Sequence, residues 1–272
     1  MINQKVSILM TIYNHERYVK SAINSLINQK FKNWELIAID NGSKDRSGQI
    51  LKNFKDKRIK KKFFKKNIGR TRCLNYGLKL CKSKYIAILD SDDISHKNRL
   101  STQIKELENN KSLGLVFTDF DFIDEKSNRI FISKKKFQFK NIRELLTKNF
   151  IGHSTVMYRR NILKKVGNYP NKYNYAQDYA FYLKILKESN IKFIKKKLVK
   201  IRIPHNNSET KRILNSKLAI IERIKILFSN LNNFKTSLSE KIMIFYLINI
   251  EMIKFIFPNF IYKTVRFVKA FK

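Results

Sequence analysis

The chain has 272 residues, with 58 Lys and Arg against 21 Asp and Glu, and a formal net charge of +37. Hydrophobic residues at 43% and aromatics at 12% are enough to bury a core, which excludes a globally disordered chain. Two cysteines, Cys73 and Cys81, exclude a disulfide scaffold and a four-cysteine zinc site.

From Met1 the chain runs straight into an apolar stretch without a charged leader, so a cytoplasmic address is expected. Residues 5–12, KVSILMTI, read as a buried strand, and residues 15–29 carry apolar positions at helical spacing. WELIAID, residues 34–40, is a second buried strand closed by Asn41-Gly42-Ser43. Ser43 is a candidate cap for a helix holding Ile50, Leu51 and Phe54. A short strand fits near 59–64, a helix over 72–81 and a buried strand over 85–90, followed by a helix with Leu100, Ile104 and Leu107.

Strands alternating with helices predict a mostly parallel, nucleotide-binding α/β sheet flanked by helices. Ligands of such sheets sit at the carboxyl ends of strands. Thr11 and Tyr13, Asp40, and Asp90, Asp92 and Asp93 fall at those ends. After about residue 215 the pattern is helical and poor in Gly and Pro, so residues 216–272 are expected to form a helical extension.

Only 10 Asp occur in the chain, yet three lie within Asp90-Ser91-Asp92-Asp93. Crowded carboxylates repel, and a divalent hard metal shared with substrate phosphates relieves the repulsion. Helix capping accounts for one acid, not three. Asp40 suits either a nucleobase or ribose contact or a turn, and Tyr13 either a base or ordinary packing. A third group, Ala176-Gln177-Asp178-Tyr179, precedes the apolar helix pattern of 181–186.

The high charge invites a nucleic-acid reading, but 44 of the 58 basic residues are Lys and 14 are Arg, whereas base readout and phosphate forks favour Arg. The Lys runs at 60–62, 134–136 and 195–197 are scattered along the chain. No nucleic-acid partner is expected.

The stretch 6–45 and the later NIGRTRCLNYGLKLCKSKYIAILDSDDISHKNRL together resemble family-two inverting glycosyltransferases of the glycosyltransferase A-type fold. The resemblance covers roughly residues 5–205. It implies a nucleotide-diphosphate sugar donor, Mn²⁺ or Mg²⁺, and a single displacement with inversion. By position, Thr11, Tyr13, Asp40, Asp90 and Asp92 would bind the nucleotide sugar, and Asp92 and Asp93, with His205, the metal. Asp178 would be the catalytic base, with Gln177 in place of the family's usual Glu, and His153 would lie on the acceptor side. Arg99 matches a frequent family Arg of structural or phosphate-proximal role. Asn41, Thr11 and Leu74 depart from the usual Asp, Pro and Arg and bear on donor identity.

The expected domains are a catalytic domain, 1–215, with a nucleotide-sugar-binding half (1–105) and an acceptor half (106–215), and the extension. Residues 242–262 are too interrupted by polar groups to span a bilayer. Residues 260–272 split into a basic face (Lys263, Arg266, Lys269, Lys272) and an apolar one, the pattern of a helix lying on an anionic membrane surface. The expected activity is transfer of a sugar to a glycan or lipid-linked acceptor, in surface polysaccharide or glycan synthesis. It would take place on the cytoplasmic face of the membrane, to which the protein is peripheral. The alternatives are a nucleotidyltransferase, which would want a Gly-rich loop that residues 11–15 lack, and a basic nucleic-acid-binding protein.

Overall fold

The computed structural model describes residues 5–131, 138–203 and 216–256. In chain order, the first elements are β1 (Val6–Ile12), α1 (Val19–Ile27), β2 (Trp34–Asp40), α2 (Ser47–Asn53), β3 (Ile59–Phe63), α3 (Arg70–Leu80) and β4 (Tyr85–Ile88). There follow β5 (Ile94–Ser95), α4 (Arg99–Asn109), β6 (Leu113–Ile123), β7 (Arg129–Ile130), β8 (Val156–Arg159), α5 (Leu163–Val166), α6 (Gln177–Glu188) and β9 (Asn190–Arg202). Two longer helices close the described chain, α7 (Lys217–Asn233) and α8 (Leu238–Ile256).

The strands form one sheet in the order β3-β2-β1-β4-β8-β6-β9-β5, with β7 on β6. Strands β3, β2, β1 and β4 are parallel, so their carboxyl ends share one edge. Beyond β4 the sheet is mixed: β8 runs antiparallel to β4 and β6, while β6 and β9 are parallel. β1 and β2 are mostly apolar and buried along almost their whole length because both faces are covered. Val6, Ile8, Met10 and Ile12 enter one core with Trp34, Leu36 and the inner faces of α1 and α4. On the opposite face α3 closes on β1 and β2 through Gly77, where an added Cβ would overlap Leu9 and stand 2.9 Å from Ile39 Cδ1.

Two expected details differ. The first helix begins at Val19, since Asn14 turns the chain in the left-handed region at φ 55°. Ser43 does not cap α2: its amide donates to Asp40 and its hydroxyl accepts from the Asn14 amide. Asp45 accepts the Ser47 amide at the start of α2 instead.

The described residues fall into two compact units. One holds the whole sheet and α1–α6. The other joins residues 139–149, inside the expected acceptor half, to α7 and α8. Within it, Asn230 donates to the Leu146 carbonyl at 2.6 Å, and Arg143 forks onto Glu240.

Candidate functional site

The parallel half of the sheet delivers its strand ends to one edge. Register pairs Ile12 with Asp40, so Thr11 and Tyr13 stand beside the end of β2. Thr11 is half-buried and Tyr13 is 38% exposed. Asp40 is buried: one carboxylate oxygen accepts the Ser43 amide at 2.7 Å, and the other is close enough to Gly48 that a Cβ there would sit 2.8 Å away. The turn-forming alternative for Asp40 is thus present in the structure. Asn41 next to it clamps the following loop, donating to Asn67 and accepting from the Ile68 amide.

The loop after β4 carries the acid cluster. His15 Nδ1 lies 2.7 Å from the Ser91 hydroxyl and ties this loop to the end of β1. The Asp90 amide donates to Ser154. Its carboxylate accepts from Arg70 at 2.7 Å and lies 3.1 Å from His153 Nδ1. Burial pushes the Asp90 carboxyl up, but the charge of Arg70 and the His153 ring outweigh it and hold Asp90 well below the usual range.

Asp92 and Asp93 behave oppositely. Burial raises the Asp92 carboxyl, with His15 opposing and Asp90 reinforcing the rise. Burial, then repulsion by Asp92 and Asp90, drives Asp93 far above its ordinary value. One Asp93 oxygen accepts the Arg202 amide at 2.8 Å. Arg202 also donates to the Asp92 carbonyl and the Ser127 hydroxyl, so the end of β9 braces the acid loop from behind.

Asp178 sits in the first turn of α6, half-buried, where the helix dipole favours a carboxylate. It belongs to the same electrostatic field as the acid loop, because Arg70 feels Asp90 most, then Asp178 and Asp92 against burial. Gln177 beside it is buried, and its Oε1 has no hydrogen-bond partner among the described residues.

The structure therefore joins Asp90 to Arg70, a residue that motif reading passed over, and leaves Asp178 and Asp92 in the field of the same guanidinium. The one signal of Arg70 in the sequence was its place directly after Gly69, the glycine at φ 87° that precedes α3 in the structure. His153 is 9% exposed and packed between Asp90, Arg70 and Tyr169. Arg99 takes the structural role rather than the phosphate-proximal one. It is wholly buried, bonds the Ile88 and Val156 carbonyls, and is drawn down to about 9 by burial. His205 and residues 260–272 lie outside the described residues. Cys73 and Cys81 are buried free thiols, each raised to about 12 by burial and therefore poor nucleophiles.

The donor set bears on an implied metal. Among the described residues no three His, Cys, Asp or Glu side chains stand where they would hold an ion alone. Burial and repulsion by neighbouring acids nevertheless raise both the Asp92 and Asp93 carboxyls. A divalent ion completed by substrate phosphates would relieve that imbalance, since one or two carboxylates suffice for Mg²⁺-type binding.

Residues 7–167 match the model of glycosyl transferase family 2. An uncharacterized glycosyltransferase of Methanocaldococcus jannaschii is 33% identical over 97% of this chain and 93% of its own length. The O-antigen biosynthesis glycosyltransferase WbnJ of Escherichia coli is 33% identical over 77% of this chain and 83% of its own. Among solved structures, a mannosyltransferase from Pyrobaculum calidifontis in complex with GDP-Man and Mn²⁺ superposes with a TM-score of 0.68. It is 14% identical and the match covers 89% of this chain and 69% of that one.

Proposed function

Because the chain belongs to glycosyl transferase family 2 and is a glycosyltransferase, we propose that it moves a sugar from a nucleotide-diphosphate donor to an acceptor hydroxyl with inversion. The observation that carries this reading is the contact of Arg70 with Asp90 at 2.7 Å, with His153 3.1 Å from the same carboxylate, at the carboxyl edge of the sheet. Asp178 and Asp92 lie in the field of that guanidinium. A transfer site needs positive charge for the leaving diphosphate and a carboxylate able to take the acceptor proton, and this edge holds both.

Thr11 and Tyr13 flank the nucleoside position, with Asp40 bracing the turn beside it. Asp90, kept ionised by Arg70 and His153, is an acceptor for ribose hydroxyls. Asp92 and Asp93 hold the divalent ion, which when bound neutralises charge building on the leaving diphosphate. Asp178 accepts the proton of the acceptor hydroxyl. A solved structural relative that binds GDP-Man and Mn²⁺ supports the donor class and the ion. The relative in O-antigen biosynthesis supports an acceptor in surface polysaccharide assembly.

The test is a panel of nucleotide sugars with Mn²⁺ and a glycan acceptor, with the anomeric configuration of the product read by NMR. A product whose anomeric centre is inverted relative to the donor is expected; retention would rule out the single displacement.

A further inference from the structure

We propose that the outward face of α8 is a docking surface for an anionic lipid bilayer. The helix has the sequence LSEKIMIFYLINIEMIKFI. Ile244 and Ile248 are buried at 0% and 3% on its inner side. The other side shows Ile242 at 61%, Phe245 at 52%, Tyr246 at 60%, Ile253 at 45% and Ile256 at 58% exposure. These residues recur three, four, seven or eight apart, so at 100° per residue they line one continuous arc. Of the fourteen large hydrophobics exposed among the described residues, eight belong to this one helix. Scattered exposed apolar residues need no explanation, but a contiguous stripe of this size marks an interaction surface.

The charge around the stripe selects the occupant. The described residues of this unit carry nine cations and four acids. Glu144 is paired with Lys148, Glu240 with Arg143, and Glu251 with Arg223 and Lys254, while Glu222 is buried. Exposed negative charge is thus largely neutralised, whereas Lys235 and Lys241 stand exposed at and just before the start of α8. A second copy of a chain with net charge +37 would be repelled. A bilayer with anionic headgroups supplies both an apolar layer for Phe245 and Ile253 and counter-charge for the lysines. No described helix is long and apolar enough to cross a membrane, so α8 lies in the plane of the interface, with Tyr246 suited to the headgroup level. This inference does not depend on the donor or the base.

The experiment is flotation of the full chain with phosphatidylcholine vesicles containing phosphatidylglycerol, against phosphatidylcholine alone. The triple variant Ile242→Gln/Phe245→Gln/Ile253→Gln changes exposed side chains and should keep the unfolding midpoint of the parent. The parent should float with the anionic vesicles, less so at high salt, and the variant's partition should fall at least about tenfold. Lys235→Glu/Lys241→Glu should weaken binding while leaving the apolar stripe intact. Equal flotation of the triple variant would overturn the proposal, as would flotation indifferent to anionic lipid. A dimer that the triple variant dissolves, without any vesicle binding by the parent, would assign the face to a second copy and overturn it too.

Discussion

Arg70 donates to Asp90 at 2.7 Å across 20 positions of sequence, joining the first turn of α3 to the loop after β4. The same guanidinium nitrogen lies 3.0 Å from His153 Nδ1, which is itself 3.1 Å from the Asp90 carboxylate. A guanidinium only donates, so Nδ1 either accepts from Arg70 or, when protonated, donates to Asp90. Both arrangements favour the ionised form of Asp90 and leave Arg70 as a cation in contact with it.

Replacing Arg70 by Met should therefore weaken binding of a nucleoside diphosphate by about ten- to a hundredfold, the loss of one charge-assisted hydrogen bond. Arg70→Lys should recover only part, because a compact ammonium lacks the planar guanidinium whose one nitrogen now reaches Asp90 and His153 while the others stay available to a diphosphate. Calorimetric titration of both variants checks this; parent-like affinity for the Met variant would remove Arg70 from the donor site.

Asp178→Asn keeps the size of the side chain and its place in the first turn of α6 while removing the proton acceptor. Turnover should fall by roughly two to four orders of magnitude, the range of a general base, with donor affinity unchanged. A collapse of donor affinity instead would make Asp178 part of the donor site.

The close approach of α3 to the sheet predicts a stability effect. Gly77→Ala gains about 1 kcal/mol of helix propensity but drives a methyl into fully buried Leu9 and toward Ile39. Overpacking of this kind costs about 1–3 kcal/mol, so the urea midpoint should fall, not rise.

Glu240 is held down to about 2 from an ordinary 4.5, first by its hydrogen bond with Arg143. A lowered acid stabilises the fold above its unfolded value and loses that contribution as pH falls through the folded one. Arg143 is 45% exposed, so screening limits the pair to about 1 kcal/mol. The stability difference between the parent and Glu240→Gln should be present at neutral pH and fade between 4.5 and about 2. Denaturation curves across that range measure it; a difference that persists unchanged would assign the loss to packing.

Much of the parallel half was legible because β1, β2 and β4 are short apolar runs bounded by turn residues, and the acid cluster stands out against a chain poor in Asp. The mixed half was not. β9 alternates apolar residues with lysines along NIKFIKKKLVKIR, and the Lys195–Lys197 portion reads locally as a solvated run. Arg70 was hidden, since its partners lie 20 and 83 positions away, and Arg99, though named by the resemblance, has its role set by carbonyls 11 and 57 positions away. Asp40 shows the same limit: the turn contact to Ser43 is local, while its fit over Gly48 depends on how α2 packs.

The central claim is that Asp92 and Asp93 hold a divalent ion together with the donor diphosphate. Binding of UDP and GDP, with and without Mn²⁺, by the parent and by Asp92→Asn tests it most directly, using calorimetry and unfolding temperature as readouts. The account predicts Mn²⁺-enhanced binding of at least one nucleotide by the parent, and loss of that enhancement in a variant that remains folded. The same Mn²⁺ enhancement in Asp92→Asn, or nucleotide binding by the parent that Mn²⁺ leaves unchanged, would contradict it.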